Sequence, residues 1–148
     1  MRIINKNKKA IYNYEILEKF EAGISLLGSE VKSIREGRIS LKESYADIKN
    51  GEVFLVNCHI SPYEAANRLN HHPLRERKLL LHKREIKRLV GKIKERGYTL
   101  IATKVLINDK RKIKVEIALA KGKKVHEKRN IIRERDLERE MQREMKKY

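Results

Sequence analysis

The chain reads as a mainly β protein: an antiparallel barrel of about six strands with flanking helices, followed by a basic C-terminal tail. Three observations predict this. β-Branched and aromatic residues fall in short, partly alternating runs separated by turn-forming residues. Two of those runs flank Asn50-Gly51, and an Asn-Gly pair between β-rich runs is the strongest short-range signal for a hairpin. A formal net charge of +17 over 148 residues then predicts a surface that seeks a polyanion.

Taken in order, residues 1–9 are polar and basic and are expected to be flexible. The run from Tyr14 to Gly28 predicts two extended stretches meeting near Ala22-Gly23. Ser29 is placed to cap a short helix over Glu30–Glu36, Gly37 to end it, and Val31 and Ile34, three apart, to face inward together. Ser44–Lys49 and Glu52–Asn57 form the Asn50-Gly51 hairpin. Residues 61–76 hold both prolines, Pro62 and Pro73, and read as a long loop with one helical turn. Arg77–Leu81 leads into a helix over Lys83–Arg96, in which Ile86, Leu89, Val90 and Ile93 recur at helical spacing and Gly97 ends the run. Tyr98–Ile107 and Lys112–Leu119 form a second hairpin turning at Asn108–Arg111. In its second strand Ile113, Val115, Ile117 and Leu119 alternate with Lys112, Lys114 and Glu116, giving one dry face and one wet, partly basic face. This order fits a small barrel of the oligonucleotide-binding type, and it is also compatible with another α+β arrangement. The domain division expected is an RNA-binding domain over residues 1–120 and a tail over residues 121–148.

The charge is spread through the domain. Residues 1–60 hold ten basic and eight acidic side chains, residues 61–120 hold sixteen and six, and residues 121–148 hold eleven and six. A nucleic-acid surface on the folded domain is therefore the leading reading. Membrane attachment is disfavoured, because no apolar run of about 18 residues and no lipidation motif occurs. No secretory leader is expected at Met1-Arg-Ile-Ile4, and the single Cys58 in an apolar run reads as a buried, inert thiol, so the expected location is cytoplasmic.

Chemistry-bearing patterns are sparse. His59, His71, His72, His82 and His126 with one cysteine show no metal-ligand spacing, so no metal and no cofactor are expected. Neither a phosphate-binding glycine loop nor a nucleophile elbow is present, and no catalytic residue is expected. His82 and Glu85 can be drawn as an acid/base pair of a small hydrolase or nuclease, but a capping or ion-pair role for Glu85 is preferred. Tyr12, Tyr14, Tyr45, Tyr63 and Tyr98 can stack on bases, yet most are expected to fill the core.

From Lys121 to Tyr148 only Val125, Ile131, Ile132, Leu137, Met141, Met145 and Tyr148 are apolar, too little to order the segment alone. Projected as a helix, Leu137, Met141, Met145 and Tyr148 fall within about 80° of one another, with Arg135, Arg139, Arg143 and Lys146 opposite. The preferred reading is a helix that forms on RNA; packing on its own domain and binding a partner protein are the alternatives.

Several segments together resemble the small protein B family, the bacterial tmRNA-binding proteins of trans-translation. They are Tyr14 with Phe20-Glu-Ala-Gly-Ile24, Gly28-Ser-Glu-Val-Lys-Ser-Ile-Arg35, Asn50-Gly-Glu52, Lys78-Leu-Leu-Leu-His-Lys-Arg-Glu-Ile86, Glu95-Arg-Gly-Tyr-Thr99 and Ala118-Leu-Ala-Lys-Gly-Lys-Lys-Val-His-Glu-Lys-Arg129. The resemblance implies an oligonucleotide-binding barrel and a non-enzymatic adaptor of ribosome rescue. Such an adaptor binds the tRNA-like domain of tmRNA and delivers alanyl-tmRNA to stalled ribosomes. Its implied partners are tmRNA, the small-subunit decoding centre and mRNA channel, and, through tmRNA, elongation factor Tu and alanyl-tRNA synthetase; it is expected to be a monomer. Residue by residue, the tmRNA-facing set implied is Glu21, Lys32, Arg35, His82, Lys83 and Arg84, with Leu80 expected to pack. The implied decoding-centre set is Lys121, Gly122, Lys123, Lys124, His126, Lys128 and Arg129. The implied tail helix carries Arg135, Arg139, Met141 and Arg143 and senses the empty mRNA channel. The chain departs from the family at Ser29, where an aromatic residue is common, and at Tyr12, near a usual histidine. A general single-strand RNA-binding or ribosome-associated barrel protein is the competing reading.

Overall fold

Alternation along the strands sends one set of side chains into a single core and the other outward, and the computed structural model arranges them as a ring. It describes residues 1–65, 70–122 and Arg139. In chain order the elements are β1 (Arg2–Lys6), α1 (Lys8–Asn13), β2 (Tyr14–Ile24), α2 (Gly28–Arg35), β3 (Ile39–Ser40), β4 (Tyr45–Lys49), β5 (Glu52–Val56), β6 (His59–Ile60), β7 (Arg77–Leu80), α3 (Lys83–Arg96), β8 (Thr99–Ile107) and β9 (Ile113–Gly122). The strands β8, β4, β5, β7, β2 and β9 follow one another around the sheet, and β9 pairs with β8 again, so six antiparallel strands close a ring. This is the mainly β architecture expected. β1 adds alongside β8, and β3 pairs with β6 in a separate two-stranded sheet.

Phe20 and Ala22 of β2, Val53 and Leu55 of β5, Leu79 of β7, and Val115, Ile117 and Leu119 of β9 fill the interior. Ile34 of α2 and Leu89 of α3 add to that core and are wholly buried. A second, smaller cluster lies on the outer face, where Ala10 of α1 covers Ile101, Ala118 and Ala120. The ring is thinnest at β4–β8, joined through Ala46 and Leu100, and Val90 and Ile93 of α3 line the cleft there with them.

The expected turns are present. Asn50 and Gly51 both adopt positive φ, 52° and 75°, the requirement of a two-residue hairpin turn. Gly97 closes α3 at φ 66° with its N–H donating to the Ile93 carbonyl. The structure corrects four expectations. Residues 1–9 are not loose: β1 pairs with β8, and Asn7, 2% exposed, donates its amide to the Leu41 and Ala102 carbonyls at 2.8 and 3.0 Å. Tyr14–Ile24 is one strand running straight through Ala22-Gly23, with its irregularity between Ile16 and Glu18. Ser29 lies inside α2 rather than capping it; Glu30 instead accepts from the Leu27 N–H at 2.8 Å. The sheet also continues past residue 120, since Lys121 and Gly122 pair with Glu15 and Tyr14.

Candidate nucleic-acid interface

An arginine costs several kcal/mol to bury unless a carboxylate meets it with good geometry, and β7 begins with such an arginine. Arg77 and Glu30 are both wholly buried and joined by an ion pair, Arg77 Nε to Glu30 Oε2. Arg75 binds the other carboxylate oxygen, and Arg77 Nη1 donates to the Cys58 carbonyl at 2.6 Å. This network fastens α2 to β7 and to the loop before it. Burial alone would raise the Glu30 carboxyl, but hydrogen bonds from Arg75, the Leu27 amide and Arg77 prevail and hold it below the usual 4.5. Burial pushes the neighbouring Cys58 thiol up to about 12, as an inert thiol requires.

The network anchors the first turn of α2, the helix that carries Lys32 and Arg35. Lys32 sits 5.4 Å from the centre of the Tyr63 ring, and Asn70 holds Tyr63 by bonds to its N–H and carbonyl. Arg35 lies in the last turn, exposed, and its carbonyl accepts from Arg2 at 3.1 Å. Ser29, at the departure from the family pattern, is buried and bonded to His71 Nδ1 at 2.8 Å, while His71 Nε2 donates to the Ile60 carbonyl. Ser29 thus ties the loop to α2 and presents no stacking face.

Beside α2 the sheet offers a row across three strands: Leu80 on β7, Gly23 on β2 and Lys114 on β9 stand opposite one another. A Cβ at Gly23 would lie 3.2 Å from the Leu80 Cβ and 3.7 Å from the Lys114 Nζ, so glycine keeps the floor of this groove low. The groove, of about 430 Å³, is also lined by Arg35, Arg111 and Lys112. Leu80 is 52% exposed, which corrects its expected packing role: alternation puts Leu79 in the core and Leu80 outside. Glu21 is exposed on the outer face of β2, two residues from Gly23 and opposite Glu116. Lys19 and Lys104 neutralise Glu116, at 3.4 and 3.0 Å, whereas Glu21 has no ion pair among the described residues.

Past Leu80 the chain turns into α3. His82, Lys83 and Arg84 are exposed at its start, and Glu85 accepts the His82 backbone N–H at 3.1 Å. Glu85 is a cap there, as preferred over the acid/base reading. Glu18 binds Arg88 and Lys92, each at 3.2 Å, and so holds α3 on β2. Lys121 and Gly122 sit at the far end of β9, with Lys121 paired to Glu15 at 3.3 Å. Lys123, Lys124, His126, Lys128, Arg129, Arg135, Met141 and Arg143 lie outside the described residues, as does the tail helix; Arg139 is exposed. Of the expected RNA-facing residues, Lys32 and Arg35 lie on α2, Glu21 on the outer face of β2, and His82, Lys83 and Arg84 at the β7–α3 junction, where His82 and Arg84 line one cleft while Arg35 lines another; Lys121 and Gly122 lie at the end of β9. Sequence reading missed the buried Arg77–Glu30 pair that supports this face. Among the described residues no group of three or more His, Cys, Asp or Glu side chains could hold a metal, and no helix is long and apolar enough to cross a membrane.

The chain matches the family model described as "SmpB protein" over residues 4–147. It is similar to the SsrA-binding protein of Symbiobacterium thermophilum, 55% identical over 143 residues that cover 97% of this chain and 90% of the relative. The SsrA-binding protein of Rickettsia bellii is 54% identical, covering 96% and 94%. A solved chain described as "tmRNA-SmpB: a journey to the center of the bacterial ribosome" superposes with a TM-score of 0.67 at 47% identity, over 81% of this chain and 84% of that one. These relatives are named for binding an RNA rather than for a reaction. With the family's model spanning almost its whole length, the chain belongs to the SmpB protein family.

Proposed function

We propose that this protein is a cytoplasmic, monomeric RNA-binding adaptor that binds the tRNA-like domain of tmRNA and brings alanyl-tmRNA, with elongation factor Tu, to stalled ribosomes. The observation that carries the reading is the similarity along nearly the whole chain to proteins named for binding SsrA, the tmRNA. The face around α2 supports it. Lys83 and Arg84 stand at the positive end of the α3 dipole without a carboxylate partner among the described residues, an arrangement that phosphate relieves. Lys32 and Arg35 add cations on the helix whose first turn the buried Glu30 network anchors. Glu21 repels phosphate but accepts from ribose hydroxyls and base amino groups, so it selects for a placed nucleotide rather than for charge alone. Leu80 and His82 offer surfaces for packing against sugar or base.

In this reading the segment from Lys121 to Arg129 meets the decoding centre. The tail beyond it, with Arg135, Arg139, Met141 and Arg143, folds in the vacant mRNA channel. Competition binding tests the first half: labelled tmRNA should be displaced by unlabelled tmRNA and not by tRNA or random RNA at equal concentration. Equal displacement by all three would leave only a general RNA-binding protein. Deleting residues 130–148 tests the second half, and should leave tmRNA affinity within about twofold while abolishing tagging on stalled ribosomes. A large affinity loss would put the tail on tmRNA instead.

A further inference from the structure

An asparagine followed by glycine can be attacked by its own backbone, because glycine has no Cβ to shield the nitrogen next to the side-chain amide. Asn50-Gly51 is the only such pair in the sequence. Both residues are exposed, and among the described residues no hydrogen bond holds the Asn50 side chain or the Gly51 N–H. Other asparagines are held. Asn5 Oδ1 accepts from the Leu41 N–H at 3.2 Å, Asn7 is buried with its amide on two carbonyls, and Asn70 braces Tyr63. Asn108 Oδ1 accepts from the Lys110 and Lys112 N–H groups at 3.0 and 2.9 Å. Asn57 shares a positive φ, 57°, but the next residue is the buried Cys58. The tip of the hairpin is also lightly tied. Among the described residues β4 meets β8 through Ala46 and Leu100 alone, so Asp47, Ile48 and Lys49 pair on the β5 side only. Opening the tip breaks few contacts, and such opening lets Asn50 leave its turn conformation.

We propose that Asn50-Gly51 is a site of spontaneous modification, at which the chain cyclises to a succinimide and water opens it to aspartate and isoaspartate. The Gly51 nitrogen gives its proton to hydroxide and bonds to Asn50 Cγ. The bond from Cγ to the side-chain nitrogen breaks, and that nitrogen takes up a proton and leaves as ammonia. Water then adds to one of the two imide carbonyls. Breaking the bond between the Gly51 nitrogen and Cγ gives aspartate; breaking the bond to the backbone carbonyl carbon gives isoaspartate, with the chain now running through Cβ and Cγ. Either product adds a carboxylate beside Lys49 and Glu52 in the chain, which already pair with Glu76 and Lys78. Isoaspartate also lengthens the backbone by one atom. A two-residue turn closed by positive φ at both positions, 52° and 75°, has no room for it, so the pairing of Lys49 with Glu52 is undone.

The test ages the full-length protein at mildly acidic and mildly alkaline pH. Peptide mass, and methyl transfer from S-adenosylmethionine by an isoaspartyl methyltransferase, read the products. Residue 50 should convert at least tenfold faster than Asn57 or Asn108, faster in alkali, with isoaspartate the larger share. Conversion no faster than at those two positions overturns the proposal; so does aspartate as the sole product, which would mean direct hydrolysis without a cyclic intermediate. Ion exchange then isolates the aged, isoaspartate-rich protein, which has lost one unit of positive charge. Its melting temperature should lie below that of Asn50→Asp, which carries the same charge on an unaltered backbone. Equal melting would overturn the claim that the modification undoes the hairpin.

Discussion

The two ends of β9 are both basic but treat their cations in opposite ways. At the Ile113 end Arg111, Lys112 and Lys114 stand without an ion pair among the described residues, and Arg35 joins them from α2. Toward the Gly122 end Glu116 collects Lys19 and Lys104, and Lys121 meets Glu15. Net charge alone would rank these surfaces together. What separates them is whether the fold supplies an internal counter-ion. A paired surface lysine contributes little to stability and offers little to a ligand; an unpaired cluster is a standing demand for an anion.

The sharpest way to break this difference is to release α2. Replacing Glu30 by Gln leaves Arg77 buried without its charge partner and should destabilise the fold by about 3–5 kcal/mol in urea unfolding. Because Arg35 rides on α2, tmRNA affinity should fall as well. A loss below about 1 kcal/mol would mean that the pair is not what holds the helix. Truncating Leu89 to Ala follows, at about 2–5 kcal/mol, since it empties a wholly buried core site; here tmRNA affinity should be kept under folding conditions.

Acid offers a graded version of the first experiment. The Glu30 carboxyl is held below its usual 4.5, so its contribution is present above that value and lost as pH falls through the lowered folded value. Stability should therefore decline on the acid side, and the decline should be shallower in Glu30→Gln, read from melting temperature against pH. Next, charge reversal at Lys114 should weaken tmRNA binding at least tenfold, about 1.4 kcal/mol, whereas reversal at Lys121 should change it less than threefold. Equal effects would erase the contrast between the ends. Smallest of all, Lys9→Gln should shift neither melting temperature nor tmRNA affinity measurably.

Local signals made part of this architecture readable in the sequence. Asn50-Gly51 and the Ile86–Leu89–Val90–Ile93 spacing act within a few residues, and both predicted elements are present. The basic tract was visible as an excess in residues 61–120 but not as a place, because Arg35 and Arg111 meet only through the ring. The missed features share one cause: their partners are distant. β1 is too polar to announce a strand and exists by pairing with β8 about a hundred residues later. Asn7 is buried because the Leu41 and Ala102 carbonyls receive its amide. Nothing near Arg77 in the sequence marks it as buried, since its partner Glu30 lies 47 residues back. The expected break at Ala22-Gly23 is absent because Gly23 is paired on both sides, with Leu80 of β7 and Lys114 of β9, and those partners lie far away in the chain.

β9 also has a mechanical meaning. It is hydrogen-bonded on one edge to β2 and on the other to β8 along nearly its whole length, and its ten residues span about 30 Å. A pull on the chain beyond Gly122 would load both rows of hydrogen bonds in shear at once, so they must fail together rather than unzip singly. Between its two basic ends β9 is thus anchored along both edges, and force applied at the Gly122 end is shared out into β2 and β8.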